Sequence, residues 1–164
     1  TIRLYTDPVI WSGTNQLFAD SITLQTSNSE ITFIYLTGNS FIASKADSVA
    51  VEILDSLRFN QIRGKNMVGV LSDNKLYRID VTGNGQTIYY AKNKNEKNFG
   101  VNRADCSDLT IYIEENKVKG ISLLNQPDGT LYPIKELSLN ELRLKGFSWF
   151  EDKRPKTKED IFRN

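Results

Sequence analysis

The side chains that carry most enzyme chemistry are scarce in this chain. Histidine is absent from its 164 residues, and Cys106 is the only cysteine. Ser-His-Asp and Cys-His arrangements, histidine metal sites and the usual structural zinc sites are therefore excluded, as is an internal disulfide. Cys106 lies in the polar stretch Asp105-Cys106-Ser107-Asp108, with no histidine or basic cluster beside it to favour the thiolate. We predict an inert thiol in a strand or at its edge.

Carboxylates are frequent, but most fall where turns are expected. Asp73, Glu114, Glu115 and Asp128 are examples, and hairpin geometry and solvation explain them. A glycosidase pair would need two carboxylates that face one cleft, which a sequence does not reveal. A carbohydrate-active enzyme on a β-scaffold therefore stays a distant alternative, and we predict a protein that is not an enzyme and has no catalytic residues.

Two glycine-containing stretches superficially resemble phosphate-binding loops. They are Gly83-Asn84-Gly85 and Gly64-Lys65-Asn66. Neither matches G-x-G-x-x-G or G-x-x-x-x-G-K-[ST], and neither opens a helix. We predict turns at strand ends, and we predict no cofactor and no metal.

Five aromatic residues could instead form a ligand platform: Tyr89, Tyr90, Phe99, Trp149 and Phe150. In a β-protein such side chains more often pack across strands or against a loop, and we favour that interpretation.

Composition limits the partners. The chain has 21 basic and 20 acidic side chains, so the electrostatic footprint of a nucleic-acid-binding protein is missing. No apolar run is long enough to cross a bilayer, and we predict no transmembrane segment in this chain. The first residues, Thr1 to Pro8, lack the regions of a signal peptide. We expect Thr1 to follow a cut inside a longer protein, from which a targeting segment has been removed.

An internal repeat predicts the fold. Residues 71–84 combine a short strand, a polar two-residue turn and a longer apolar strand that ends in Thr-Gly-Asn, and residues 26–39 have the same arrangement. Residues 113–123 repeat the turn and the apolar spacing without the Thr-Gly-Asn. A unit that returns in this way is one supersecondary element stacked several times, because a single copy could not bury its own apolar face.

Period-two alternation identifies these elements as half-buried antiparallel strands. It is clear in residues 21–25, 77–81 and 109–113. Asp73-Asn74 and Glu115-Asn116 supply the asparagine that a tight hairpin tolerates at positive φ. Polar connections at 92–98 and 126–129 complete a meander. The apolar spacing from Ala46 to Leu57 is compatible with a strand or a short helix, and we predict a strand.

The character of the sequence changes after Pro133. Ser138-Leu139-Asn140-Glu141 has the form of a capping box and predicts a short helix or helical turn that Gly146 ends. The charged end, from Glu151 to Asn164, predicts a solvated extension, with a docking tail as the alternative. We therefore divide the chain into a β-repeat domain at 1–135 and a C-terminal helical turn and charged extension at 136–164.

Several segments resemble a known family. Pro8-Val9-Ile10-Trp11 followed by residues 15–22 is similar to the repeat of the OstA-like proteins, the organic-solvent-tolerance and lipopolysaccharide-transport family of the LptA and LptD N-terminal type. Residues 59–67, 83–91, 127–133 and 145–149 with 154–156 resemble the C-terminal part of one branch of it. The similarity covers nearly the whole chain, but residues 145–164 depart from the periplasmic bridge members.

The resemblance implies an all-β fold, a curved antiparallel sheet of repeated hairpins folded over on itself as a β-taco or open β-jellyroll. It also implies a location in the periplasm or on the periplasmic side of the outer membrane of a Gram-negative cell. Its implied partners are lipopolysaccharide or a related lipid, and other lipopolysaccharide-transport proteins that pair through the sheet edges. The alternative function is a structural β-repeat adaptor that pairs edge to edge with other envelope proteins.

A lipid carrier needs an apolar enclosure, since exposing a hydrocarbon chain to water costs about 0.8 kcal/mol per CH₂. An inward row along the sheet could provide one. From the sequence alone the same side chains are better explained as filling a closed core, and the family resemblance reverses that preference. The candidate groove residues are Ile22, Leu24, Ile34, Leu36, Met67, Leu71, Ile79, Val81, Leu109, Ile111, Ile121 and Leu123.

Overall fold

A computed structural model describes residues 1–46, 58–92, 98–115, 117–133, 136–138, 140–157 and 159–162. The predicted strand from Ala46 to Leu57 lies outside the described residues beyond its first position, as do Asn116 and residues 93–97 of the polar connection. Within the described part there are ten strands: β1 Ile2–Tyr5, β2 Val9–Ser12, β3 Asn15–Phe18, β4 Ser21–Ser27, β5 Glu30–Lys45, β6 Phe59–Ser72, β7 Lys75–Lys92, β8 Asn98–Glu114, β9 Lys117–Leu124 and β10 Asp128–Tyr132.

All ten strands belong to one antiparallel sheet. Its main order is β1-β4-β5-β6-β7-β8-β10, with β3 also paired to β5, β2 paired to β3, and β9 paired to β8. Among the described residues no pairing joins β1 to β10, so the sheet is open and does not close into a barrel. The predicted all-β meander of repeated hairpins is confirmed.

The long strands β5 to β8 each run through a bend that divides the sheet in two. Their pairing register breaks between Thr37 and Ser40, between Arg63 and Asn66, and between Thr82 and Gly85. We call the part on one side the first half-sheet and the part on the other the second half-sheet. The first comprises β1, β4, β9 and residues 30–37, 66–72, 75–82 and 108–114; the second comprises β2, β3, β10 and residues 40–45, 59–64, 85–92 and 98–106.

The Gly-Asn pairs form this bend. Gly38 and Asn39 have φ of 73° and 45°, and Gly83 and Asn84 have φ of 76° and 54°. Two consecutive residues with positive φ redirect a strand, so these pairs lie inside β5 and β7 as bulges. The prediction that Gly83-Asn84-Gly85 ends a strand is therefore wrong, because the chain resumes the same sheet after the bulge.

The other predicted glycine stretch belongs to the same bend. Gly64-Lys65-Asn66 lies inside β6, so it does not end a strand either. The Asn66 side-chain oxygen accepts a hydrogen bond from the Gly38 N–H, and Asp108 accepts one from the Gly83 N–H, each at 3.1 Å. The repeat thus places the same bulge, with an equivalent acceptor, at two points of the bend.

Hairpin turns follow the predicted chemistry. Asp73 and Asn74 have φ of 51° and 57°, and Asn28 and Ser29 have φ of 50° and 64°, as a two-residue type I′ turn requires. Glu115 also has positive φ, at 52°. The Ile31 N–H donates to Asn74 Oδ1 at 3.0 Å, so adjacent repeats are joined at their turns as well.

Two apolar clusters lie on opposite faces of the second half-sheet. The inner core joins residues of both half-sheets, such as Leu17 and Ile42 of the second with Leu36 and Ile79 of the first. The outer core contains Phe41, Ala43, Ala46, Ile88, Tyr90, Val101, Leu142 and Leu144. Since Phe41 and Ala43 alternate with Ile42 along β5, that strand is buried on both faces.

The C-terminal segment supplies the cover for the outer core. Ser138 and Glu141 form the predicted capping box, in which the Ser138 N–H donates to the Glu141 carboxylate at 2.9 Å. It supports one turn, closed by a hydrogen bond from the Leu142 N–H to the Ser138 carbonyl. We call residues 142–154 the strap. The boundary at 135/136 stays a prediction, and the two parts on either side of it share the outer core.

Candidate functional site

The structure brings all twelve predicted groove residues together. Every one of them belongs to the inner core or packs against it. Four are partly buried: Leu24, Leu71, Ile121 and Leu123. The other eight are at most 4% exposed: Ile22, Ile34, Leu36, Met67, Ile79, Val81, Leu109 and Ile111. The sequence pattern therefore identified one continuous apolar interior, and the role of these residues toward lipid stays a prediction.

This interior is nearly filled in the present conformation. Its cavity has a volume of about 30 Å³. Ile42 and Ile62 line it from the second half-sheet, and Ile79, Ile111 and Ile121 line it from the first. That volume suits one water molecule and not an acyl chain. A hydrocarbon chain could enter only if the two half-sheets move apart.

The two walls of the cavity differ in polarity. Ser44, Asn60 and Thr87 contribute to the side formed by the second half-sheet, whereas the facing wall is formed by isoleucines and Val118. Thr87 is 1% exposed, and its hydroxyl has no hydrogen-bond partner among the described residues. A buried hydroxyl without a partner costs about 1–3 kcal/mol. The inner core is therefore not optimised for stability at this position.

The ends of the sheet expose apolar side chains. Ile2 and Tyr5 of β1 are 52% and 67% exposed, and Leu124 of β9 and Leu131 of β10 are 46% and 50% exposed. Edge strands also leave backbone hydrogen-bonding groups unpaired. Both ends of the open sheet therefore have the character of surfaces that can accept a further strand or an apolar ligand.

Two buried glutamines hold the strap on the outer face. Gln61 accepts from the Leu144 N–H and donates to the Leu142 carbonyl, both at 2.9 Å. Gln16 accepts from the Phe150 N–H at 2.6 Å and donates to the Ser148 carbonyl at 2.8 Å. Each side chain thus pairs with a carbonyl and with the N–H two residues later, as a neighbouring strand would.

Sequence reasoning missed both glutamines, which are 0% exposed. They occupy equivalent positions of the repeat, 45 residues apart, each before an apolar residue of the inner core: Gln16-Leu17 and Gln61-Ile62. That recurrence of a polar residue in an apolar strand was the available signal.

Aromatic contacts complete the attachment of the strap. The ring of Trp149 lies 4.7 Å from that of Phe59 and 4.9 Å from that of Trp11. Arg154 donates to the Gly13 carbonyl at 2.9 Å and lies over the Trp11 ring. The charged extension from Glu151 stays a prediction: Glu151, Asp152 and Lys153 are exposed, and the contacts of Arg154 tie that residue to the sheet.

Three of the five aromatic residues considered for a ligand platform pack within the protein, as we favoured. Tyr90 is buried in the outer core, and Trp149 and Phe150 pack against the sheet. The side chain of Phe99 lies outside the description.

Cys106 has the surroundings of an unreactive thiol. It is buried in β8, and its sulfur lies 3.7 Å from the Gly85 carbonyl oxygen. Burial raises the pKa of this thiol above its ordinary value, with smaller contributions from the charges of Asp105 and Asp108.

The described part of the chain contains no group of three or more histidine, cysteine or acidic residues placed to hold a metal. In the same residues there is no helix whose length and hydropathy would let it span a membrane.

Comparison with known proteins bears on the fold. No family model and no curated protein matches the chain. It is similar to the crystal structure of LptH, the LptA homologous periplasmic component of the conserved lipopolysaccharide transport device from Pseudomonas aeruginosa. The TM-score is 0.56 at 13% sequence identity, over 80% of this chain and 83% of LptH. The chain has the LptA-type fold. The predicted OstA-like resemblance and β-taco architecture are confirmed at the level of the fold, and fold alone does not assign a function.

Proposed function

We propose that the chain is a non-enzymatic lipid-binding module for lipopolysaccharide transport to the outer membrane. It would act in the periplasm or on the periplasmic side of the outer membrane, with lipopolysaccharide or a related lipid as its ligand. The observation that carries the proposal is the gathering of all twelve predicted groove residues into one interior between two half-sheets. The similarity to LptH supports it.

The proposed mechanism is a separation of the half-sheets about the bend. The β9 end is the entrance that the structure favours, because Ile121 and Leu123 are only partly buried there and β10 is mostly exposed. A chain of about twelve carbons would gain roughly 10 kcal/mol by leaving water, which can offset the loss of contacts between the half-sheets. Lipid would then replace the side-chain packing that fills the interior in its absence.

Displacement of N-phenyl-1-naphthylamine, an apolar fluorescent probe, tests this proposal. We expect lipopolysaccharide to displace the probe at micromolar concentration. Ile121→Trp would fill the cavity at the entrance and should weaken lipid binding about tenfold or more. The matched control is Tyr112→Trp on the neighbouring strand, where the side chain is 47% exposed and the substitution should change nothing. Absence of displacement from the native chain at micromolar lipid would contradict the proposal.

The open edges favour a second candidate function, the structural adaptor that pairs with other envelope proteins. The exposed Ile2 and Leu131 lie on edge strands at opposite ends of the sheet. Concentration-dependent growth in light scattering, without displacement of the probe by lipid, would favour this role. Lysine at either position should reduce the assembly, because a charge on an edge strand disfavours pairing with another chain.

A further inference from the structure

A second and larger cavity lies outside the inner core. Its volume is about 480 Å³, within the range of small-molecule sites. The strap, the β2–β3 hairpin and the bend in the sheet surround it. Phe18, Phe41 and Phe150 line it together with Arg63, Lys145 and Lys153. The departure of residues 145–164 from the family pattern thus coincides with a cavity that the strap helps to build.

The apolar floor of this cavity is held in place before any ligand arrives. Phe18 stacks on Phe41 at 5.0 Å and meets Phe150 edge-on at 5.6 Å. Phe41 is 1% exposed, and the backbone of Phe150 is fixed by its hydrogen bond to Gln16. A preorganised aromatic floor favours binding, since little side-chain entropy remains to be lost.

Positive charge surrounds this floor. Lys145 is exposed and forms no hydrogen bond or ion pair with any described residue. Arg63 donates to Gln86 at 3.1 Å through one nitrogen, and Lys153 lies over the Phe150 ring at 4.9 Å. The Arg63 guanidinium has further N–H donors, and the Lys153 ammonium keeps its positive charge while it lies over the ring.

Two carboxylates also line the cavity, those of Asp7 and Asp20. Asp20 already accepts hydrogen bonds from the Asn39 amide, at 3.2 Å to each of its oxygens. The three cations outnumber these two acids, so an anionic group is the complementary ligand chemistry.

We propose that this cavity binds a single-chain anionic amphiphile, such as an alkyl phosphate. Its apolar body would lie against the Phe18 and Phe150 rings, with the buried Phe41 ring stacked behind Phe18, and its head group would meet Lys145, Lys153 and Arg63. The site is separate from the interior assigned to acyl chains above, because Phe41 belongs to the outer core and Phe18 packs against it. It does not depend on the proposed transport function.

Calorimetric titration of the full chain with decyl phosphate, below its critical micelle concentration, tests the proposal. The titrations use the Ile121→Trp background, so that the inner core does not contribute. We expect decyl phosphate to bind at least tenfold more tightly than inorganic phosphate or decyl maltoside. Lys145→Ala should weaken its binding about tenfold, as expected for the loss of one charge-assisted contact. Lys75→Ala, at an exposed turn of the first half-sheet, is the matched control and should have no effect.

Three results would overturn the proposal. Equal binding of inorganic phosphate would show a bare anion site, and equal binding of decyl maltoside would show an apolar site indifferent to charge. Equal effects of Lys145→Ala and Lys75→Ala would place the ligand elsewhere. Val9→Phe, which adds volume at the cavity wall, gives an independent check. It should weaken decyl phosphate binding, whereas lipopolysaccharide should displace N-phenyl-1-naphthylamine as it does from the native chain. If Val9→Phe abolished the displacement and left decyl phosphate binding intact, lipopolysaccharide and not decyl phosphate would use this cavity, and the proposal would be wrong. Absence of displacement from the native chain, by contrast, would contradict only the transport function.

Discussion

At the scale of single residues, Gln16 and Gln61 hold the C-terminal strap on the sheet. Their carboxamides pair with the backbone of the strap as a neighbouring strand would, and without them the Leu144 and Phe150 N–H groups and the Ser148 carbonyl would lose their partners. Apolar residues at these positions would be compatible with the strands but would not bind the backbone of the strap. These two glutamines, which are polar residues in otherwise apolar strands, therefore fix the C-terminal segment on the sheet.

We expect Gln61→Leu to lower the free energy of unfolding by about 2–4 kcal/mol. The substitution keeps the size of the side chain but leaves the buried Leu144 N–H without its partner, at about 1–3 kcal/mol. It also removes the hydrogen bond to the Leu142 carbonyl, worth about 1 kcal/mol, although that carbonyl keeps its bond from Arg143. Urea unfolding followed by far-ultraviolet circular dichroism measures it. Gln25→Leu, on an exposed part of β4, is the control and should change stability by less than about 0.5 kcal/mol. Equal effects of the two substitutions would contradict the assigned role of Gln61.

At the scale of elements, the Thr-Gly-Asn bulges decide the shape of the sheet. The sequence shows the motif twice, and its composition is typical of a turn, so strand ends were the natural prediction. Whether such a pair ends a strand or bends it depends on what pairs with the chain afterwards. Asn66 and Asp108, which accept from the bulge glycines, lie 28 and 25 residues away, and local pattern does not reveal them. The strands were therefore predictable, and the resemblance implied a folded sheet, but the residues at which the strands bend were not predictable.

We expect Gly83→Ala to lower the free energy of unfolding by about 1–3 kcal/mol. Gly83 has a φ of 76°, which costs a residue with a Cβ about 1–2 kcal/mol, and the new Cβ would lie 3.0 Å from the Cβ of Lys65. Gly120→Ala in β9 is the matched control, because nothing lies within 4 Å of its Cβ position. Thermal unfolding of the two variants compares them directly. A Gly120 variant as unstable as the Gly83 variant would show that the bend has no special demand for glycine.

At the scale of the whole molecule, the inner core was predictable and the outer core was not. Alternation along each strand marks one face as apolar, and repetition of the unit aligns those faces, so the twelve groove residues could be chosen without coordinates. The outer core combines the opposite face of β5 to β8 with a strap that has no regular period. Its anchoring hydrogen bonds join residues 81 to 134 positions apart, and only the folded chain reveals such contacts.

The two cores predict different responses to the two ligands proposed above. If the half-sheets separate about the bend, lipopolysaccharide should slow hydrogen exchange in β9, where the entrance lies, and leave the strap unchanged. Decyl phosphate should protect residues 145–153 of the strap and leave β9 unchanged, because the outer core lies on the other face of the second half-sheet. Exchange followed by mass spectrometry, with and without each ligand, measures both regions in one sample.

Trp11 and Trp149 both belong to the strap attachment, so tryptophan emission should stay constant when lipopolysaccharide binds. A red shift together with faster exchange in both regions would mean that lipid unfolds the chain, and the hinge mechanism would then be wrong.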